Sequence, residues 1–115
     1  MNRLTGSFRN AFRGIGTVLR SEPNARIHLV ATGAVVAAGI FFRCTAGEWA
    51  VLAVATAAVW TAELLNTSIE KSMDLLHPDQ HPLVKNIKDM AAGAVLIAAI
   101  GAVIAAGCIY LPKIL

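Results

Sequence analysis

Three apolar runs dominate the chain: residues 27–42, broken only by His28 and Thr32; residues 49–65, containing Glu63; and residues 90–111, with no charge. At about 1.5 Å per residue the third spans about 33 Å, enough for a bilayer core of about 30 Å. The first two are shorter and reach across only if flanking residues continue the helix, Asn24–Arg26 in one case and Thr67–Leu76 in the other. The pattern predicts membrane-spanning helices over about 25–43, 46–76 and 83–111, the last two with extensions beyond the bilayer. Ahead of them, Leu4, Phe8, Ala11, Phe12, Ile15, Val18 and Leu19 fall within about 120° of a helical wheel, with Arg9, Arg13 and Arg20 opposite. That predicts a basic amphipathic helix over 4–20, too polar to span and suited to lying on a leaflet. Taken alone, it serves equally well as a plain anchor.

Local signals mark the turns. Pro23 disfavours helix at Glu22 and suits the first turn of the next helix. Thr45-Ala46-Gly47-Glu48 has the form of a capping box, which starts the second span near Ala46. His77-Pro78-Asp79-Gln80-His81-Pro82 is a loop, because two prolines within six residues break a helix. A His77/His81 metal pair needs a continuous helix between them, so none is expected. Small residues in the third span, Ala91, Ala92, Gly93, Ala94, Gly101 and Gly107, permit close helix packing.

One stripe breaks the apolar pattern. At 100° per residue Glu63, Asn66, Glu70 and Asp74 fall within an arc of about 80°, beginning inside the second span and running out of it. A carboxylate in hydrocarbon costs roughly 2.5–3.5 kcal/mol on insertion scales, so such a group signals function. Counted from Trp49 as an interfacial aromatic, Glu63 lies about 10 Å below the far boundary, while Glu70 and Asp74 emerge into water.

Composition agrees with the pattern: 115 residues, 57% hydrophobic, 15% charged, mean hydropathy +0.64. This excludes disorder and indicates a single small integral membrane domain, all-α, over 1–115. The first apolar run begins beyond residue 26 and no cleavage pattern precedes a soluble domain, so no cleaved leader is expected. Eight of the ten Lys/Arg residues precede the first span or lie between the second and third; only Arg43 and Lys113 lie elsewhere. The positive-inside rule then places the N-terminus and the 71–89 loop in the cytoplasm and the C-terminus outside, in a multi-pass inner-membrane topology. The net charge of +3 reflects these anchors and carries no nucleic-acid argument. Cys44 and Cys108 match no redox or metal spacing and read as two unpaired thiols, with a disulfide between them as the alternative.

On this topology Glu22, Glu63, Glu70, Asp74, Asp79 and Asp89 share the cytoplasmic side with Asn66 and Lys88; only Glu48 lies outside. Singly, Glu22 reads as a first-turn acid favoured by a helix dipole, and Lys88-Asp89 as a snorkelling lysine beside a helix-start acid. Together, carboxylates converging at one membrane face repel unless cations join them, and oxygen ligands suit Mg²⁺ shared with phosphates. A water-soluble phosphoryl donor above and a lipid hydroxyl below, with Glu63 as general base, is the economical chemistry. No Walker A sequence, kinase glycine-rich loop or HRD-type loop is present. A small proton-coupled transporter is the reading from a different class, but it would keep its acids near mid-membrane.

The motifs themselves resemble a known family. Ala62-Glu63-Leu64-Leu65-Asn66-Thr67-Ser68-Ile69-Glu70 and Lys88-Asp89-Met90-Ala91-Ala92-Gly93-Ala94-Val95 resemble the two signature blocks of the small bacterial integral-membrane lipid kinases, the diacylglycerol kinase family with its undecaprenol kinase branch. The likeness extends to Ser7-Phe8, to Ala11-Phe12-Arg13-Gly14 and to Glu22-x-Asn24-x-Arg26-x-His28. It implies an ATP- and Mg-dependent lipid kinase with Glu63 as base and Glu22 and Glu70 holding the metal. It also implies a nucleotide pocket lined by Arg3, Asn10, Glu22, Asn66, Glu70, Asp74, Asp79, His81, Lys88 and Asp89. Asn10 departs from the Gram-negative diacylglycerol enzymes, which carry an aromatic residue there, so stacking on the nucleotide is not implied. Family resemblance further implies a homotrimer with sites shared between subunits. The spelling around Glu22–His28 and Glu63–Asn66 is more similar to the undecaprenol branch, which favours that acceptor over diacylglycerol. The small residues Ala31, Gly33, Ala34, Val35, Val36, Ala37, Ala38 and Gly39 on span one form a shallow groove suited either to a prenyl chain or to helix packing.

Overall fold

The computed structural model describes residues 2–115 and contains four helices: α1 (Arg3–Ser21), α2 (Pro23–Phe41), α3 (Ala46–Leu76) and α4 (Pro82–Ile114). Among the described residues there is no strand. α2, α3 and α4 are long and apolar enough to cross a membrane. α2, with 19 residues, matches the bilayer core at about 28 Å; α3 and α4, with 31 and 33, reach about 46 and 50 Å and must project beyond it. The helical flanks needed to complete the first two spans are therefore present.

Each boundary has a local cause. Asn2 caps α1, its Oδ1 accepting from the Thr5 N–H at 2.9 Å. α1 stops at Glu22, whose extended backbone precedes Pro23. Arg26 then locks the corner: its Nε donates to the Leu19 carbonyl at 3.1 Å and its Nη2 to the Arg20 carbonyl at 2.6 Å. A cation thus sits on the negative end of α1. The capping box at the start of α3 closes with both arms: Glu48 N–H donates to Thr45 Oγ1 at 3.2 Å and Thr45 N–H to Glu48 Oε1 at 2.9 Å.

The turn between α2 and α3 is a Schellman motif, with Cys44 N–H donating to Gly39 O at 3.0 Å and Arg43 N–H to Ile40 O at 3.3 Å. Arg43 occupies the left-handed position (φ 53°) where glycine is usual. Gly39 lies against the Trp49 ring so closely that a Cβ there would fall inside it. Tyr110 of α4 donates its hydroxyl to the Val35 carbonyl at 2.7 Å, and Lys113 meets Glu48 at 3.1 Å. α4 runs three residues beyond the predicted limit, through Pro112, which sits in the last turn where its missing N–H breaks little of the ladder. Cys44 and Cys108 are both free.

α3 and α4 pack as an antiparallel pair, with α2 alongside α3. Most large apolar side chains of the spans face outward, among them Val30, Ile40, Val54, Ile97 and Val103, as lipid-facing residues do. On α1, Leu4, Phe8 and Phe12 are exposed on one face with the arginines on the other, the makeup of an interfacial helix.

Candidate active site

The stripe on α3 descends from water into the molecule. Asp74 is exposed, Glu70 half-buried, Asn66 buried and Glu63 only 2% exposed. An ionisable group this enclosed in an apolar helix needs a partner, and it has one: His28 Nε2 of α2 lies 3.5 Å from Glu63 Oε2. One turn further along the stripe, Asn66 Nδ2 donates to Glu70 Oε1 at 3.3 Å, steering that carboxylate, whose other oxygen accepts from no side chain among the described residues. Asn66 Oδ1 and Thr67 Oγ1 are buried with no hydrogen-bond partner among the described residues. Such groups cost about 1–3 kcal/mol each, and native proteins keep them chiefly where something else engages them.

Above the stripe, the α3–α4 connection folds over a cleft of about 680 Å³. Asp74, Asp79, His81, Lys88 and Asp89 line it, joined by His77, Gln80 and Lys85. Lys88 Nζ forms an ion pair with Asp74, tying α4 to α3 across the cleft. Lys85 Nζ pairs with Asp89 at 2.7 Å one helical turn away. His81 caps α4, its Nδ1 accepting from the Leu83 N–H at 3.1 Å, so its ring is fixed and offers Nε2. A second, apolar groove runs between α3 and α4, lined by Ala57, Ala58, Thr61, Ala62, Ala91 and Ala94 and reaching Asn66.

Of the residues singled out from sequence, one chain gathers Asn66 with Glu70, and Asp74, Asp79, His81, Lys88 and Asp89 around the cleft. Arg3 and Asn10 stand exposed on α1, and Glu22, half-buried, lies at its end. Among the described residues the side chains of these three share no hydrogen bond or ion pair with the cleft. Among the described residues of the single chain, no group of three or more His, Cys, Asp or Glu is placed to hold a metal ion. The ring centroids of His77 and His81 lie 6.1 Å apart on either side of the loop, without a connecting helix. Sequence reasoning missed His28, His77, Gln80, Lys85 and Thr67. For His28 a signal existed, a polar side chain at the second position of an apolar run, but its partner 35 residues away depends on the register of two helices.

The model of the prokaryotic diacylglycerol kinase family matches residues 9–110, nearly the whole length. The chain belongs to that family. It is 39% identical over 114 residues to the undecaprenol kinase of Bacillus subtilis (strain 168), covering 99% of this chain and 93% of that protein. It is 44% identical over 110 residues to a diacylglycerol kinase of Synechocystis, covering 95% of this chain but 63% of that longer protein. A diacylglycerol kinase of Helicobacter pylori matches at 44% over 50 residues, 44% of this chain and 39% of that one. The protein is therefore a multi-pass membrane lipid kinase, as the two motif blocks implied. A proton-coupled transporter no longer accounts for the acid stripe.

Proposed function

We propose that this lipid kinase transfers the γ-phosphoryl group of ATP, with Mg²⁺, to the hydroxyl of undecaprenol at the cytoplasmic face of the inner membrane. The observation that carries the reading is the graded stripe on α3: a carboxylate 2% exposed at Glu63, followed on the same helix face by Asn66 and Glu70 and ending at Asp74 on the wall of a polar cleft lined by lysines and acids. A lipid hydroxyl approaches Glu63 from the hydrocarbon side, while the cleft takes the water-soluble donor. Glu63 accepts the hydroxyl proton as the oxygen attacks the γ-phosphorus and ADP leaves. Lys88 and Lys85 offer cationic groups to phosphate, and His81, held by its cap, offers Nε2–H.

The donor set fits a magnesium ion. Mg²⁺ is commonly held by one or two carboxylates with substrate phosphates, rather than by an all-protein cage. Glu70, steered by Asn66 with one oxygen to spare, and Glu22 are the residues that would hold it. Bound there, the ion neutralises phosphate charge. The buried Asn66 Oδ1, without a partner among the described residues, and the small-residue groove beside it support a homotrimer in which α1 of one copy, with Arg3, Asn10 and Glu22, completes the site of another.

Undecaprenol is favoured because the relative so named aligns along nearly its full length. Diacylglycerol is the second reading, favoured by the higher local identity to the Synechocystis enzyme. The test supplies both lipids in one bilayer with labelled ATP and Mg²⁺ and separates the products. Faster labelling of undecaprenol is expected. Preference for diacylglycerol overturns the acceptor, and labelling of neither overturns ATP as donor.

A further inference from the structure

His28 is half-buried on α2, yet nothing in the chemistry above uses it. Its surroundings form a closed loop between two helices. Trp60 Nε1 of α3 donates to Thr32 Oγ1 of α2 at 2.9 Å, and the Thr32 hydroxyl donates in turn to the His28 carbonyl at 2.7 Å. The His28 ring returns to α3, its Nε2 3.5 Å from Glu63 Oε2 and its plane edge-on to Trp60 at a centroid distance of 6.3 Å. The two crossing pairs, His28 with Glu63 and Thr32 with Trp60, lie one turn apart on both helices, as antiparallel register requires. The Trp60–Thr32 bond is the one side-chain hydrogen bond between α2 and α3 among the described residues.

We propose that His28 is a positioning residue: its Nε2–H holds one oxygen of Glu63, so that the other is presented to the acceptor hydroxyl, and Thr32 and Trp60 brace it in that pose. The proposal rests on Glu63 being the base. Glu63 sits on a long, flexible stem, and three rotatable bonds would otherwise let its carboxylate sweep past the reactive pose. An enclosed carboxylate also requires a donor, and among the described residues His28 is the only one whose side chain reaches it. At 3.5 Å the contact is at the outer edge of hydrogen-bond reach, the loose form such contacts take before substrate binds. The brace explains why a tryptophan with its N–H satisfied stands one turn from the base in an otherwise apolar segment.

The experiment measures kcat and KM for ATP and for lipid in His28→Ala, His28→Gln and Trp60→Phe, each checked for the same elution in detergent as the parent. His28→Ala is expected to lower kcat about tenfold or more with both KM values nearly unchanged, since misplacement of a reacting group acts on the chemical step. His28→Gln, which keeps an N–H donor, should recover most of that loss. Trp60→Phe, which keeps the ring but frees Thr32, should lower kcat by roughly two- to fivefold, a small share of what such misplacement can cost. An unchanged kcat in His28→Ala, or a loss confined to the lipid KM, overturns the proposal. So does failure of His28→Gln to recover activity when it elutes as the parent does. If His28→Ala itself does not fold, His28→Gln and Trp60→Phe decide by the same criteria. Full activity in Glu63→Gln would overturn the base assignment instead, a separate result.

Discussion

The two ends of the α3 helix treat polar groups in opposite ways. At the end beside the α2–α3 turn, polar groups are answered locally: Thr45 and Glu48 cap each other, Glu48 also meets Lys113, and Tyr110 reaches the Val35 carbonyl. The apolar packing there is equally tight, with Trp49 filling the space a side chain at Gly39 would need. Towards the α3–α4 turn, Asn66 Oδ1 and Thr67 Oγ1 are buried with no partner among the described residues, the one described side-chain partner of Glu63 stands at 3.5 Å, and charged side chains line a cleft. A fold optimised only for stability would not leave two buried polar atoms unanswered, at about 1–3 kcal/mol each. On the function proposed, one end holds the helices together and the other serves the chemistry. Substitutions at the two ends should therefore separate stability from activity.

After Glu63 itself, the largest separation is expected at Glu70. Glu70→Ala should lower transfer about a hundredfold at limiting Mg²⁺, with partial recovery in excess Mg²⁺, while the thermal midpoint in detergent stays near that of the parent; the figure is an order of magnitude for loss of a ligand to a charge-neutralising ion. A Mg²⁺ titration of activity checks this, and an unchanged dependence would remove Glu70 from the metal site. At the opposite end, Gly39→Val forces a branched side chain into the Trp49 ring and should cost on the order of 1–3 kcal/mol. Thermal unfolding in detergent reads the loss, and activity per folded molecule should be nearly unchanged. Smaller still is Thr45→Ala, which removes one arm of the capping box and should cost about 1 kcal/mol with no effect on kcat. If Thr45→Ala instead lowers kcat, the division between the two ends does not hold.

Much of this was legible in the sequence, because its signals are local. The capping box fixed the start of α3, Pro23 the start of α2, and the paired prolines of 78–82 the loop that roofs the cleft. The acid stripe was visible as a helical periodicity, and its placement on one face needed no tertiary information. Roles beyond that of Glu63 were another matter: they came from the likeness of two motif blocks to a family, since periodicity alone does not distinguish a metal ligand from a nucleotide contact. His28 escaped because its meaning lies in the register of α2 against α3, set by Gly39 on Trp49 and by Thr32 on Trp60 rather than by any neighbour in the chain. His77 and Gln80 of the α3–α4 connection and Lys85 of α4 join the cleft through the way the connection is placed against α4, which no local pattern records. The extra turn of α4 through Pro112 ran against the usual stop signal, which is weak where the helix is about to end.

The central claim is that the buried carboxylate on α3 is there for proton transfer, and Glu63→Gln tests it most directly because it keeps shape and hydrogen bonding while removing the base. Transfer of labelled γ-phosphoryl from ATP to undecaprenol should fall by about 10² to 10⁴, the range general-base catalysis supplies, with nucleotide affinity and thermal midpoint preserved. Turnover close to that of the parent enzyme would contradict the account.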